Sequence, residues 1–100
     1  MLLEITSKGH SLSDHLDQHI HEKLERLEKY IHGASDAHVV LERSHQGQIV
    51  EINLHAMHHT IHAREVSDNV MACIDKAVTK VENQLRRLKE KFTNRKGPPQ

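Results

Sequence analysis

Residues 50–63, VEINLHAMHHTIHA, decide how this chain folds. Apolar and polar residues alternate over positions 50–56, and this period of two is typical of a strand with one buried face. The alternation returns at Ile61 and Ala63, which predicts a second strand. Residues 57–60 must turn the chain between the two. The segment therefore predicts a hairpin with one apolar face.

Two further strands and a helix are predicted before this hairpin. Residues 37–42 are rich in β-branched and apolar side chains, and residues 3–6 alternate, so both are predicted to be strands. Between them, Ser13 is a good N-cap and Gly33 is well placed to end a helix over residues 14–31. Apolar residues mark one face of this helix: Leu16, Ile20, Leu24, Leu27 and Ile31.

A second, longer helix is predicted over residues 69–92, with Ser67 or Asp68 as its cap. Its apolar stripe consists of Val70, Ile74, Ala77, Val78, Val81, Leu85, Leu88 and Phe92. The element order is then β-α-β-β-β-α. Because two one-faced helices and a half-buried sheet must cover each other, we predict a two-layer α+β domain with both helices on one sheet face. Residues 1–93 form this domain, and residues 94–100 are predicted to be a flexible tail.

Composition narrows the class of protein. A chain of 100 residues is too short for two independent cores. It has no apolar run of membrane-spanning length and no basic segment ahead of an apolar stretch, so neither a membrane span nor a secretory signal is expected. Cys73, its one cysteine, excludes a disulfide scaffold and suits a reducing cytoplasm.

The net charge of zero hides an asymmetry along the chain. Residues 1–75 hold 6 basic and 12 acidic residues, whereas residues 76–100 hold 8 basic and 2 acidic ones. On the second helix, four cations fall on one stripe roughly opposite the centre of the apolar face: Lys76, Lys80, Arg87 and Lys91. Such a ladder could neutralise phosphates, which favours a polyanionic partner, although ordinary solvation of a helix is the alternative.

The first helix carries a weaker basic stripe beside its apolar face, which includes Lys23 and Arg26. These two would join a nucleic-acid surface only if the two helices lie side by side. His15 and His19 precede Lys23 by two turns and one turn. Protonation of these imidazoles at low pH is expected to strengthen RNA binding by adding positive charge.

Several short motifs follow one another along the chain. They are Leu3-x-Ile5-Thr6, Lys23-Leu24-x-x-Leu27-Glu28-Lys29-Tyr30, Val39-Val40-Leu41, Leu54-His55, Ile61-His62-Ala63, Ala72-x-Ile74-Asp75-Lys76 and Lys80-Val81-x-x-Gln84-Leu85-x-Arg87-x-Lys89-x-Lys91. Their order and spacing resemble the short ribosome hibernation-promoting factors, also called ribosome-associated inhibitor or ribosomal subunit interface proteins. The match spans roughly residues 1–92.

The resemblance implies a β-α-β-β-β-α fold and a function without catalysis. Such proteins bind the 30S subunit and the 70S ribosome against 16S rRNA, in the mRNA and tRNA channel near the decoding centre. They block translation under stress and favour inactive, dimerised ribosomes. The nucleic-acid-binding residues expected here are Lys23, Arg26, Lys76, Lys80, Arg86, Arg87, Lys89 and Lys91. We expect no cofactor, no small-molecule substrate and a monomeric free protein.

Three departures from the family pattern put individual contacts in doubt. Asn69-Val70-Met71 replaces the usual Asp-Met-Tyr, so an aromatic side chain is missing. Asn83 stands where an arginine usually precedes Gln-Leu. His58-His59 replaces a Gly-Gly pair at the hairpin, where positive φ is easier for glycine.

Two other functions remain open on the residues alone. The first is metal binding by the hairpin imidazoles His55, His58, His59 and His62, although a tight hairpin rarely lets four ligands converge. The second is a generic module that recognises double-stranded RNA by shape. An enzyme is disfavoured, because no phosphate loop, nucleophile elbow or paired acid motif is present and Cys73 borders the apolar stripe.

Overall fold

The computed structural model describes residues 1–9 and 11–95, and side chains for 1–9 and 11–90. Its elements are β1 (Leu2–Lys8), α1 (Asp14–Glu25), a 3₁₀ segment (Arg26–Tyr30), β2 (Ser35–Ser44), β3 (Gly47–Ala56), β4 (His59–Ser67) and α2 (Val70–Arg95). This order confirms the predicted β-α-β-β-β-α arrangement. None of the helices described is long and apolar enough to cross a membrane.

The four strands form one sheet in the order β1-β2-β3-β4. β1 lies parallel to β2, and α1 with the 3₁₀ segment makes the crossover that a parallel pair requires. The other two pairs are antiparallel, with Ile52 opposite both Val39 on β2 and Ala63 on β4. These three residues therefore share one face of the sheet.

That inner face packs against both helices. Val39 and Ile52 lie in the same buried cluster as Ile20 of α1 and Ile74 of α2, and all four are fully buried. Apolar burial of this kind contributes about 1.5–3 kcal/mol per large side chain. The predicted two-layer sandwich with both helices on one face is therefore confirmed.

The N-cap predicted from the sequence is confirmed for α1 but not for α2. Ser13 Oγ accepts a hydrogen bond from the amide of Leu16 at 3.1 Å, which confirms it as the N-cap of α1. The cap predicted for α2 was wrong. α2 begins at Val70, so Asn69 occupies the N-cap position, and its Oδ1 accepts a hydrogen bond from the amide of Ala72 at 3.1 Å.

The ends of both helices differ from the predictions. The α-helical part of the predicted 14–31 helix stops at Glu25, and a 3₁₀ segment continues to Tyr30. With three residues per turn, Leu27 and Tyr30 lie on the same side, where Leu27 is fully buried. α2 runs to Arg95, beyond the predicted end at 92. Of the predicted tail, residues 96–100 lie outside the described part of the chain.

The β3–β4 turn is tighter than predicted. Only Met57 and His58 lie between the strands, with φ values of 52° and 65°. Two consecutive positive φ values in a two-residue loop are the geometry of a type I′ turn. The prediction that His58 and His59 replace a Gly-Gly pair was therefore displaced by one residue, since His59 is already the first residue of β4.

Candidate nucleic-acid interface

The predicted binding cations lie on the helices, away from the outer face of the sheet. α1 carries Lys23, and the 3₁₀ segment begins with Arg26. On α2 the exposed cations are Lys76, Lys80, Arg86, Arg87 and Lys89. Lys91 is within α2, but its side chain lies outside the described residues.

The helical wheel placed the basic stripe of α2 opposite the centre of the buried face. In the structure the stripe lies instead on the flank of α2 that faces β4. Lys80 Nζ donates a hydrogen bond of 3.3 Å to the carbonyl oxygen of Arg64 on the edge strand β4 and forms an ion pair with Glu65. One turn later, Gln84 Nε2 donates to the carbonyl oxygen of His62 at 3.2 Å. The stripe therefore follows the β4 edge of the domain.

On the other side of α2, polar contacts join it to α1. The carboxylate oxygen Oδ1 of Asp75 lies 2.7 Å from Nε2 of His19 and 3.7 Å from Nζ of Lys23. The helices thus lie side by side. This meets the condition under which the basic residues of the first helical segment can extend a surface on α2.

A cleft of about 390 Å³ lies at the surface between the 3₁₀ segment and α2. Three cations line it, namely Lys23, Arg26 and Lys29. Lys29, which was not among the predicted binding residues, places its Nζ 5.2 Å from the ring centroid of Tyr30. The sequence motif Glu28-Lys29-Tyr30 was the signal that could have pointed to Lys29 as a binding residue. That Lys29 lines the cleft follows only from the packing of the 3₁₀ segment against α2.

The side chains of four of the predicted cations form no hydrogen bond or ion pair with any other part of the chain that the structure describes. They are Arg26, Lys76, Arg86 and Arg87. Three others have internal partners: Lys23 with Asp75, Lys80 with Glu65, and Lys89 through a further interaction within the chain. The predicted set therefore divides into free and restrained cations.

The outer face of the sheet carries imidazoles that pair with neighbouring strands. His62 Nε2 lies 3.1 Å from Oε2 of Glu51, and His55 Nδ1 lies 3.0 Å from Oγ1 of Thr60. His58 lies in the turn and His59 begins β4. Within residues 1–9 and 11–90, no three side chains of the metal-binding types come together as a site.

Cys73 is buried in α2, where its Sγ–H group donates to the carbonyl oxygen of Glu65 at 3.2 Å. Burial raises the pKa of this thiol above its ordinary value of 9.0. The residue is therefore a protonated, inaccessible thiol near neutral pH. It behaves as a small apolar side chain rather than a nucleophile.

A four-stranded sheet covered on one face by two helices, with exposed cations on the helices, defines a small two-layer α+β class of protein. The chain belongs to the Sigma 54 modulation protein / S30EA ribosomal protein family, whose model matches residues 3–93. This confirms the resemblance that the sequence motifs indicated.

Individual relatives agree with that assignment. The chain is 29% identical over 97 residues to "Ribosome-associated factor Y" of Haemophilus influenzae, covering 97% of this chain and 91% of the relative. It is 30% identical over 92 residues to "Ribosome hibernation promoting factor" of Salmonella typhimurium, covering 92% and 97%. The crystal structure of the Thermus thermophilus Protein Y N-terminal domain superposes with a TM-score of 0.81 at 26% identity, covering 88% of this chain and 99% of that domain.

The family consists of ribosome-associated factors rather than enzymes, which confirms the absence of catalysis expected from the sequence. Its role lies in ribosome-associated regulation of translation.

Proposed function

We propose that this protein is a cytoplasmic hibernation factor that binds the 30S subunit and the 70S ribosome through its helical layer. The observation that carries the proposal is the set of free cations on that layer, which comprises Arg26, Lys76, Arg86 and Arg87. Free cations gain the full benefit of phosphate contact, because no internal ion pair has to be broken first.

The opposite face of the domain supports this orientation. Alternation along the strands places four carboxylates on the outer sheet face, namely Glu4, Asp36, Glu42 and Glu51, against two cations, Lys8 and Arg64. An excess of acidic groups repels RNA phosphates at short range. The described side chains of α2, by contrast, include five cations and three carboxylates. In the proposed orientation the helical layer is therefore turned toward 16S rRNA through α2, and the outer sheet face is turned away from it.

The proposed mechanism is occupancy rather than chemistry. Bound in the mRNA and tRNA channel near the decoding centre, a rigid domain of this size excludes mRNA, tRNA and initiation factors by overlap. The cations position it through phosphates, and such contacts carry little sequence information. Specificity then comes from the shape of the channel. The bound protein keeps 70S and dimerised ribosomes inactive during stress.

A competition measurement tests this function against a generic RNA-binding role. Fluorescently labelled protein is titrated with purified 30S subunits at about 100 mM salt, where phosphate-driven binding persists. An RNA duplex of about 16 bp, the span that duplex-binding modules read, is then added as competitor. Ribosome-specific binding predicts little displacement at equal phosphate concentration. Displacement by the duplex as efficient as by unlabelled protein would favour the generic module.

A further inference from the structure

Two carboxylates hold two of the cations that the proposed function needs. We propose that Glu65 and Asp75 restrain Lys80 and Lys23, and so set the affinity of the helical layer for RNA phosphates below the value that its cations alone would give. This inference rests on the proposed function and deepens it. It makes Glu65 and Asp75, which carry the wrong charge for RNA contact, determinants of the affinity.

Lys80 is held at the β4 edge by two groups. Its Nζ forms an ion pair with the carboxylate of Glu65, whose side chain is only 17% exposed, and donates to the carbonyl oxygen of Arg64. An ammonium group has three N–H donors. Two of them are engaged, so one remains for a phosphate. The Lys80 side chain is 54% exposed, and a phosphate can therefore reach it.

Asp75 restrains Lys23 in a related way from α2. Its Oδ1 lies 3.7 Å from Lys23 Nζ and 2.7 Å from His19 Nε2. The carboxylate is 46% exposed, so it also meets any phosphate that approaches the cleft between the helices. Repulsion between two anions adds to the cost of separating Lys23 from its partner.

A phosphate can bind either lysine only in competition with its carboxylate. Exposed ion pairs of this kind are weak, so removing one carboxylate is expected to tighten RNA binding by about 1.5- to 5-fold. The gain should be larger at low salt, because salt screens the internal pair and the phosphate contact alike. Both substitutions, Glu65→Gln and Asp75→Asn, preserve side-chain shape.

A change of net charge alone is the competing explanation. Glu42→Gln provides the matched control, because it removes the same charge from the outer sheet face. Lys80→Gln provides a second control. In its background Glu65→Gln has no lysine to release, so the gain from that substitution should disappear. A purely structural role of Glu65 would leave the gain in place.

The experiment measures the Kd for purified 30S subunits at about 50 and 200 mM salt, with thermal unfolding recorded for each variant. We expect Glu65→Gln and Asp75→Asn to bind about 1.5- to 5-fold more tightly than Glu42→Gln at the lower salt. Equal affinities for these three folded variants would overturn the inference. Failure of the unsubstituted protein to bind 30S subunits would instead overturn the proposed function. If one carboxylate variant does not fold, the other decides the question.

Discussion

Tyr30 Oη donates a hydrogen bond of 2.8 Å to Oε2 of Glu82, and thereby ties the end of the 3₁₀ segment to the middle of α2. Together with the contact between His19 and Asp75, it fixes the two helical segments side by side at two points about two turns apart along α2. This pairing places Arg26 across the cleft from Asp75 and Glu82 of α2.

Removing the tyrosine hydroxyl tests that link. Tyr30→Phe retains the ring but loses the hydrogen bond, so the free energy of unfolding is expected to fall by about 1 kcal/mol. For a domain of this size, that lowers Tm by roughly 4–8 °C. Differential scanning calorimetry measures it. Glu82→Gln keeps an oxygen acceptor for the tyrosine hydroxyl, so it should lower the free energy of unfolding by less. An unchanged Tm for Tyr30→Phe would contradict the role assigned to this hydrogen bond.

The β3–β4 turn is expected to be a site where stability can be gained. Met57 and His58 both adopt positive φ, which costs side chains with a Cβ about 1 kcal/mol. The double substitution Met57→Asn/His58→Gly supplies the pair preferred by type I′ turns, so it should raise the urea midpoint without changing m. His59→Gly, one residue later in β4, should instead destabilise by about 0.5–1 kcal/mol. The reverse result would place the turn at residues 58 and 59.

Burial of Cys73 predicts a pH-dependent term in stability. Its pKa is raised above 9.0 in the folded protein, so the folded state disfavours the thiolate. The stabilisation is complete below pH 9 and is lost as the pH rises through the raised pKa. Between pH 8 and pH 10 the urea midpoint should therefore fall more for the native chain than for Cys73→Ala. Equal losses in the two proteins would contradict a buried thiol.

Mild acid is expected to strengthen RNA binding through His19. Imidazole side chains in general gain positive charge in mild acid, and His19 lies 2.7 Å from Oδ1 of Asp75, the carboxylate that also contacts Lys23. At constant salt, affinity for 30S subunits should therefore be higher at pH 6 than at pH 8. His19→Gln should reduce this rise more than His15→Gln, because His19 is the one that contacts Asp75. Affinity no higher at pH 6 would contradict the hypothesis.

Periodicity in the sequence was enough to predict the element order and the layer arrangement. The apolar stripe from Leu16 to Leu27 and the alternation over residues 50–56 each leave a single face that can be buried. Both helices must therefore pack on the same face of the sheet. The turn and the α2 cap were misplaced by one or two residues. Those positions depend on where β4 begins and ends. Ser67, Asp68 and Asn69 are all good N-cap residues, so the sequence alone does not choose among them. Met57 does not favour positive φ, so nothing in the sequence marks it as a turn residue.

The sequence was enough to predict which cations belong to the candidate site, but not which of them are held by hydrogen bonds or ion pairs within the protein. A helical wheel identifies Lys76, Lys80 and Arg87 as neighbours without showing that β4 lies under that flank. Only the tertiary structure brings the carbonyl of Arg64 and the carboxylate of Glu65 to Lys80. The free and restrained cations are therefore indistinguishable in the sequence.

Sedimentation with ribosomes tests the central claim most directly. The double variant Lys76→Glu/Arg87→Glu reverses two free cations of the helical layer, and unlike a substitution of Lys80 it breaks no internal ion pair among the described residues. The matched control, Lys8→Glu/Arg64→Glu, makes the same charge change on the outer sheet face. At about 100 mM salt, the unsubstituted protein and the control should sediment with 30S and 70S particles while the helical variant stays at the top of the gradient. Equal binding by the two double variants, or loss of binding only in the outer-face control, would contradict the account.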